Sequence, residues 1–554
     1  MNLSSPYHSI IHQSLSRVFS LLDQNPLSPT FGCFDRTYWQ YKMVADIPSM
    51  AYQQLVLALT LLYKNHEKFL LSHSHKNLLP LIQGAILFWT QNQHREGCFD
   101  EWYKNERSFC VTAFSTYAVT ESLLLLKEDL DPKFILQITP ALQKAGHWLI
   151  KNKNTYVTNQ MALSFLALHN LYDLLKDPLF QTAYEQRKTH VLSLQEEEGW
   201  FPEYGGPDIG YLSLTLDALA KDYKKNKDEK VLEALQKGYS FVQHFFNPDG
   251  SIGGEYGSRN SQYFFPHGLE ILKNILPEAH TCLEQFYISL QNNKIPTPLS
   301  VDDRYFAYFF MPNFLQAHLE CTGNAVSSSK QKKESHEVFF PRAKLLVLKN
   351  KNYTAISEGN KCGILKVYRN TSLIYSDCGL WAKTTSHILT NQTFKNTPCT
   401  YSSPHKTLTL EGHFTKLFQI NPLVHYPLLF RILNKTLQSS AWFSSLSNHW
   451  IKNFFILKSQ KSPLSFKKEI TFEDDKITIK ETIFSALKHT IVGMEPLPLA
   501  ITPYSPTSHL QDQTKFEDGD SFSPKICTLL NTHKKVTLTR TLSIRENSVD
   551  VTVI

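Results

Sequence analysis

No two cysteines in this chain have the Cys-x-x-Cys spacing of a metal cassette or redox motif. The nine present, an odd number, are scattered from Cys33 to Cys527. That distribution excludes a zinc ribbon and argues against a disulfide framework, leaving reduced and mostly buried thiols. Long hydrophobic runs are also lacking: the longest apolar stretch, Leu78–Trp89, is too short and too mixed to cross a bilayer. Residues Met1–Pro26 contain no basic segment followed by a continuous apolar one. No secretory signal is therefore expected, and the cytoplasm is the expected location, with export by a non-classical route as the alternative. Blocks of like charge are missing too. A net charge of +7 is spread thinly over 57 Lys and Arg residues, which excludes a nucleic-acid footprint. A weak positive field is compatible with an anionic ligand.

Aromatic residues are plentiful: 36 Phe, 25 Tyr and 8 Trp in 554 residues. Many of them sit in a repeated phrase, a break at glycine followed by an acid beside an aromatic. It reads Gly97-Cys98-Phe99-Asp100-Glu101-Trp102-Tyr103, then Gly199-Trp200-Phe201-Pro202-Glu203-Tyr204-Gly205, then Gly250-Ser251-Ile252-Gly253-Gly254-Glu255-Tyr256-Gly257. The three leading glycines are 102 and 51 residues apart, and a weaker copy, Lys151–Tyr156, falls near the missing step. A period near 50 residues marks one supersecondary unit stacked several times. Tyr52–Tyr63, Phe114–Leu126, Gln160–Leu175 and Tyr211–Tyr223 carry apolar residues at helical spacing, so the unit is a helical hairpin. Its loops are expected at one end of a ring.

The period changes after a polar stretch. Residues 1–321 read as an (α/α) toroid, 322–337 as a linker, and 338–554 as a large antiparallel β-sandwich. Val536–Ile544 alternates cleanly and turns at Glu546-Asn547-Ser548 into Val549–Ile554. Ile470–Glu473 and Ile477–Lys480 form a second hairpin. Pro496–Pro506 is expected to be a surface loop.

Three clusters could carry chemistry. The densest runs from Gly253 to Gly268 and holds Glu255, Tyr256, Arg259, Asn260 and His267, with glycines that let a ligand approach the backbone. A second, Phe31–Lys42, holds Asp35, Arg36, Tyr38 and Trp39 and suits a sugar subsite or a clamp between domains. In the third, Asn159 and Gln160 open an apolar helix, where the plain reading is an N-cap. On the repeated loops, Trp102, Glu203 and Tyr204 join Asp35, Arg36, Tyr38, Trp39, Glu255 and Asn260 as candidate substrate-binding residues.

A helical toroid joined to an antiparallel sandwich, with the phrase Phe34-Asp35-Arg36-Thr37-Tyr38-Trp39, resembles the heparinase II/III-like polysaccharide lyases. The resemblance implies β-elimination on a uronate-containing glycan. Asn159 would neutralise the uronate carboxylate and Tyr256 would act as base or acid. Arg259 would be a second neutraliser, and His267 an alternative base. The sequence departs from that family in its sandwich. Ser372–Trp381 and Ser386-His387 stand where a His-x-His-x-Asp segment is common, and His387, His405, His413 and His425 have no ligand spacing. No metal and no cofactor are expected.

Other chemistries fit the same ring. A toroid glycoside hydrolase would use two rim carboxylates, drawn from Glu101, Glu203, Asp208 and Glu255. A carboxylate kept in every copy, however, suits helix capping. A uronate C5-epimerase would begin with the same proton abstraction, and a non-catalytic glycan-binding protein would keep the aromatic rim alone.

Overall fold

The computed structural model describes residues 5–41, 45–69, 74–321, 335–392, 397–417, 426–440, 442–444, 446, 461–497 and 523–554. Helices fill the first part: α1 (His8–Leu21), α2 (Arg36–Trp39), α3 (Leu55–Lys64), α4 (His75–Gln91), α5 (Phe109–Leu125), α6 (Pro132–Lys151) and α7 (Thr158–Leu175). They continue through α8 (Pro178–Ser193), α9 (Ile209–Asn226), α10 (Glu229–Val242), α11 (His267–Leu272), α12 (Pro277–Gln291), α13 (Asp303–Tyr305) and α14 (Met311–Glu320). Helices α3, α5, α7, α9, α11 and α14 touch in that order and α14 returns to α3, closing an inner ring. Helices α1, α4, α6, α8, α10 and α12 pack outside it.

The division follows from the sequence. Inner helices are covered on all sides and are buried over most of their length, as α7 is from Thr158 to Leu171 apart from Gln160. The outer helix α10 buries one stripe, Val231, Ala234, Leu235, Gly238, Tyr239, Phe241 and Val242. Outer helices start sharply because Asp131, Asp177 and Asp228 cap α6, α8 and α10, with proline in the first turn of the first two.

The repeated glycine has a common geometry. Gly97 and Gly199 have φ of +105° and +101°, and a Cβ on either would lie 2.1 Å from a carbonyl oxygen of an outer helix, at Lys144 and Lys237. A glutamine locks each copy. Gln93 donates to the carbonyls of Gly97 and Ala141, and Gln195 to those of Gly199 and Ala234. Gln53 does the same to Gly32 and Ala85, which reveals a further copy near the start of the chain. The loops that follow Gly97 and Gly199 enter inner helices α5 and α9, so the expected common rim is present.

Strands β1 (His336–Phe340), β2 (Leu345–Lys349), β3 (Thr354–Glu358), β4 (Ile364–Arg369) and β5 (Ser372–Asp377) form an antiparallel meander. The larger sheet contains β6 (Leu380–Thr384), β7 (Ile388–Thr390), β8 (Cys399–Ser402), β9 (Thr407–Lys416), β10 (Lys461–Phe472), β11 (Lys476–Ser485), β12 (Ile491–Pro496), β13 (Lys535–Ser543) and β14 (Ser548–Val553). Its order is β12-β6-β7-β9-β10-β11-β13-β14, with β8 on β9. Both expected hairpins form, with Ile470 opposite Ile479 and Leu542 opposite Val549. Helix α15 (Pro427–Lys435) lies between β9 and β10, and α16 (Ser523–Thr532) precedes β13.

The meander is covered on both faces, which explains its unbroken apolar strands. Leu345, Val347 and Ile356 join the toroid core, while Leu346, Leu348, Ala355, Leu365 and Val367 face the second sheet. Strand β1 begins at His336, inside the expected linker. The 322–334 part of that linker, and Pro496–Pro506 beyond Leu497, lie outside the described residues. All nine cysteines are free thiols. Among the described residues no helix is long and apolar enough to cross a membrane.

Candidate active site

The rim at the N-terminal ends of the inner helices gathers two arginine–aromatic pairs. In the first, the Arg259 guanidinium lies 4.4 Å from the Tyr204 ring centre. Tyr204 is presented by a tight turn, Glu203–Gly206, with positive φ at Tyr204 (+54°) and Gly205 (+93°), the requirement of a type I′ turn. Its backbone N–H donates to the Tyr156 carbonyl, and Ser258 holds the Glu203 carbonyl. Tyr211, at the start of α9, packs edge-on against both Tyr204 and Tyr263. The Asp208 carboxylate caps α9 at the Tyr211 N–H and also accepts from the N–H groups of Arg259 and Ser261. It thereby ties the Arg259 loop to the same helix end.

In the second pair, the Arg304 guanidinium lies 3.8 Å from the ring centre of Trp102, which is 65% exposed. Arg304 also hydrogen-bonds Glu101, whose other oxygen accepts from Ser108 Oγ. Tyr308 bonds Cys110 beside this pair. Burial, opposed by Arg259, pushes the Tyr204 hydroxyl up to about 12, and Cys110 and Glu101 are close enough to add to the rise. The two pairs therefore border one rim. A cleft of about 350 Å³ opens on the second, between Asp35–Tyr52, Glu101–Lys104, Arg304 and the α15 residues Arg431, Asn434 and Lys435.

The structure separates Tyr256, Glu255, Asn260 and His267 from this surface. Tyr256 is completely buried, and its hydroxyl bonds Asn247 Oδ1 at 3.0 Å where the toroid meets the sandwich. Glu255 is buried 2.5 Å from Lys366 of β4. Asn260 accepts from Lys361, whose ammonium also binds the Glu255 and Gly257 carbonyls. The glycine-rich loop that looked like a ligand cradle is thus largely a socket for two sandwich lysines, with Arg259 alone directed to the rim. His267 is buried too, 3.9 Å from Asp217 and 3.8 Å from Glu320. Burial holds its imidazole below the usual range, and it belongs to a polar network inside the ring.

The second cluster is held by structural contacts, with Asp35 also at the edge of the cleft. Asp35 caps α2 at Thr37 and accepts from the Ser49 N–H, and Arg36 pairs with Asp303. Trp39 donates to the Leu21 carbonyl, and Tyr38 packs half-buried against the toroid core. Asn159 is 2% exposed and does not cap α7. The cap comes from the next loop: Glu203 Oε1 accepts both the Asn159 backbone N–H (2.8 Å) and its Nδ2 (3.0 Å). Arg304 and Tyr211 escaped the sequence reading. The only signal was the phrase Asp303-Arg304-Tyr305, an echo of Asp35-Arg36 and its aromatics.

The carboxylates of a hydrolase are not available either. Glu101, Glu203, Asp208 and Glu255 are all buried and held as described, so their repetition reflects capping and pairing. In the sandwich, Asp377 is enclosed by Lys468 and Arg540, and His387, His405 and His413 are exposed, while His425 lies outside the described residues. Among the described residues no group of three or more His, Cys, Asp or Glu side chains is placed to hold a metal.

Burial raises the Glu203 carboxyl to about 8, against the opposing bonds from Asn159. A carboxyl with a raised folded-state pKa stabilises the fold fully below its unfolded value and loses that contribution as pH rises through the folded value. The Glu203 contribution to the melting temperature is therefore expected to fall between about pH 4.5 and 8, opposed below about pH 6.5 by His244 and His318, which burial holds at about 4. Glu203→Gln, which imitates the neutral acid, should remove that contribution and make the slope less negative, while Glu106, raised to about 8, and Glu358, to about 7, keep theirs. Identical slopes in both proteins would contradict a buried neutral Glu203.

Residues 82–266 match the family model of the ulvan lyase N-terminal domain. A comparison with curated proteins finds no match. Among solved structures, the Streptomyces coelicolor A3 chondroitin AC lyase in complex with chondroitin sulphate aligns at 11% identity with a TM-score of 0.55, covering 90% of this chain and 68% of that one. Heparinase III aligns at 10% identity and a TM-score of 0.45, over 87% of this chain and 81% of that one. An unsaturated glucuronyl hydrolase from Streptococcus agalactiae aligns at 12% identity and a TM-score of 0.37, over 58% of this chain and 93% of that one. The chain thus has the toroid-plus-sandwich fold seen in the chondroitin AC lyase, a polysaccharide lyase-type fold.

Proposed function

We propose that the protein is a polysaccharide or oligosaccharide lyase that cleaves a uronate-containing glycan by β-elimination at the Tyr204–Arg259 rim. The observation that supports this most is the stacking of a half-buried tyrosine on a guanidinium at the mouth of the ring, with no available carboxylate beside it among the described residues.

A uronate C5 proton is too weakly acidic to remove while the adjacent carboxylate is charged. Arg259 would hold that carboxylate and stabilise the enolate-like intermediate. Its charge also lowers the Tyr204 pKa against the burial that raises it. Tyr204, as phenolate, takes the C5 proton; the C4–oxygen bond breaks, and the phenol returns the proton to the leaving oxygen. Asn159, fixed by Glu203, stands behind this pair as the candidate second neutraliser. The cleft beside Arg304 would take neighbouring sugars, with the exposed Trp102 ring as a stacking surface. Lys104, Arg304, Arg431 and Lys435 against Asp35, Asp46 and Glu101 favour an acidic chain.

The test is incubation of the purified protein with a panel of uronate glycans, recording the ultraviolet absorbance of the unsaturated product. New reducing ends without that absorbance would replace elimination by hydrolysis, and neither signal across the panel would count against catalysis on uronates.

A further inference from the structure

Helix α15 is inserted between β9 and β10 and leaves several apolar side chains open to solvent. It meets the toroid through Asn434 and through backbone carbonyls at and just beyond its C-terminal end. Asn434 is 6% exposed, and its carbonyl accepts from Asn105 of the rim loop. Arg107 donates to the Gln438 and Ser439 carbonyls, and Ser444 to that of Asn105. Its apolar side faces outward: Leu428, Leu429 and Ile432 share one face, with Leu428 72% exposed. Leu437, Leu446, Tyr426 and Trp442, the last 73% exposed, are further exposed apolar side chains close by in the chain. So many large exposed apolar side chains within about twenty residues mark a face that is covered rather than solvated.

Charge selects the cover. Arg431 and Lys435, one turn apart, flank the leucine face and are both exposed. Between Glu411 and Glu469 the sequence holds no Asp or Glu. Asp46 lies 4.0 Å from Arg431 and is itself largely exposed. Leucines bordered by tryptophan, tyrosine and basic residues on a short helix are the signature of an element lying in a lipid–water interface. We propose that α15 and the adjoining Leu437, Trp442 and Leu446 dock the protein on an anionic lipid surface. Because Arg431, Asn434 and Lys435 also line the rim cleft, docking would place its mouth at the membrane.

The test uses the full chain and no glycan. Flotation with phosphatidylcholine vesicles containing phosphatidylglycerol should carry the protein upward, and pure phosphatidylcholine should carry much less. Added salt should weaken the association. The triple change Leu428→Ser, Ile432→Ser, Trp442→Ser should lower partitioning by at least about a hundredfold. Its melting temperature should be unchanged, because these side chains leave no cavity. Absent flotation on anionic vesicles, or flotation indifferent to the triple change, would overturn the proposal. So would a dimer that the triple change dissociates, which would assign the face to a second copy of the chain.

Discussion

Tyr204→Phe is expected to lower kcat for glycan cleavage by about a thousandfold with KM little changed, the scale of a lost general base. The ring, its contact with Arg259 and the tight turn that carries it would all survive, so binding should too. Tyr256→Phe is the discriminating control. Its hydroxyl serves Asn247 inside the protein, and its loss should cost stability and leave kcat within a few fold. The reverse outcome would return the chemistry to the buried loop and sink the rim assignment. The pH dependence is a second readout. With the Tyr204 hydroxyl pushed up to about 12, only about one molecule in 10⁵ carries the phenolate at neutral pH. Activity should therefore climb about tenfold per pH unit above neutrality until the fold fails. A pH-independent rate would require another base.

The second large effect is expected at the toroid–sandwich contact. Lys366→Met leaves the Glu255 carboxylate in a site where neither side chain is more than 1% exposed. Breaking such a pair typically costs about 3–5 kcal/mol, because the surviving charge has no solvent and no partner. Burial works against the charged form of Lys366, and the neighbouring Glu255 more than offsets it, holding the ammonium above its ordinary range. The loss should appear as a lowered melting temperature accompanied by lower activity, since the loop it anchors also carries Arg259. Combining Lys366→Met with Glu255→Gln removes the stranded charge and should recover most of the stability. A single change costing less than about 1 kcal/mol would show that the pair is solvated and that the two domains are not clamped there.

Periodicity carried the architecture because both repeats are local. A glycine that must meet an outer helix at positive φ, and strands that alternate every second residue, leave marks within a few positions of themselves. Gly97, Gly199, and the Ile470 and Val536 hairpins were therefore legible. The site was less so. The loop at residues 253–267 has glycines, a tyrosine, an arginine and a histidine, the composition of a catalytic loop. That composition cannot distinguish a ligand from a lysine arriving from another domain more than a hundred residues later. Lys361 and Lys366 occupy the cradle, and only Arg259 of that cluster reaches the rim. In the sequence Tyr204 is one candidate binding residue among several; what singles it out is its backbone conformation and a guanidinium from a distant loop.

The amino-acid sequence by itself determined that a ring of helical hairpins precedes an antiparallel sandwich, and that aromatic-acidic loops share one rim. Each of those properties is written in residues close together in the chain. The tertiary structure alone decided which rim residues are open, because burial and pairing depend on partners far away in sequence. Glu203 caps a helix 44 residues earlier, Lys366 neutralises Glu255, and α15 covers the Asn105 loop from 329 residues away. Desolvation and charge pairing across those distances separate a buried tyrosine from one that can meet a substrate.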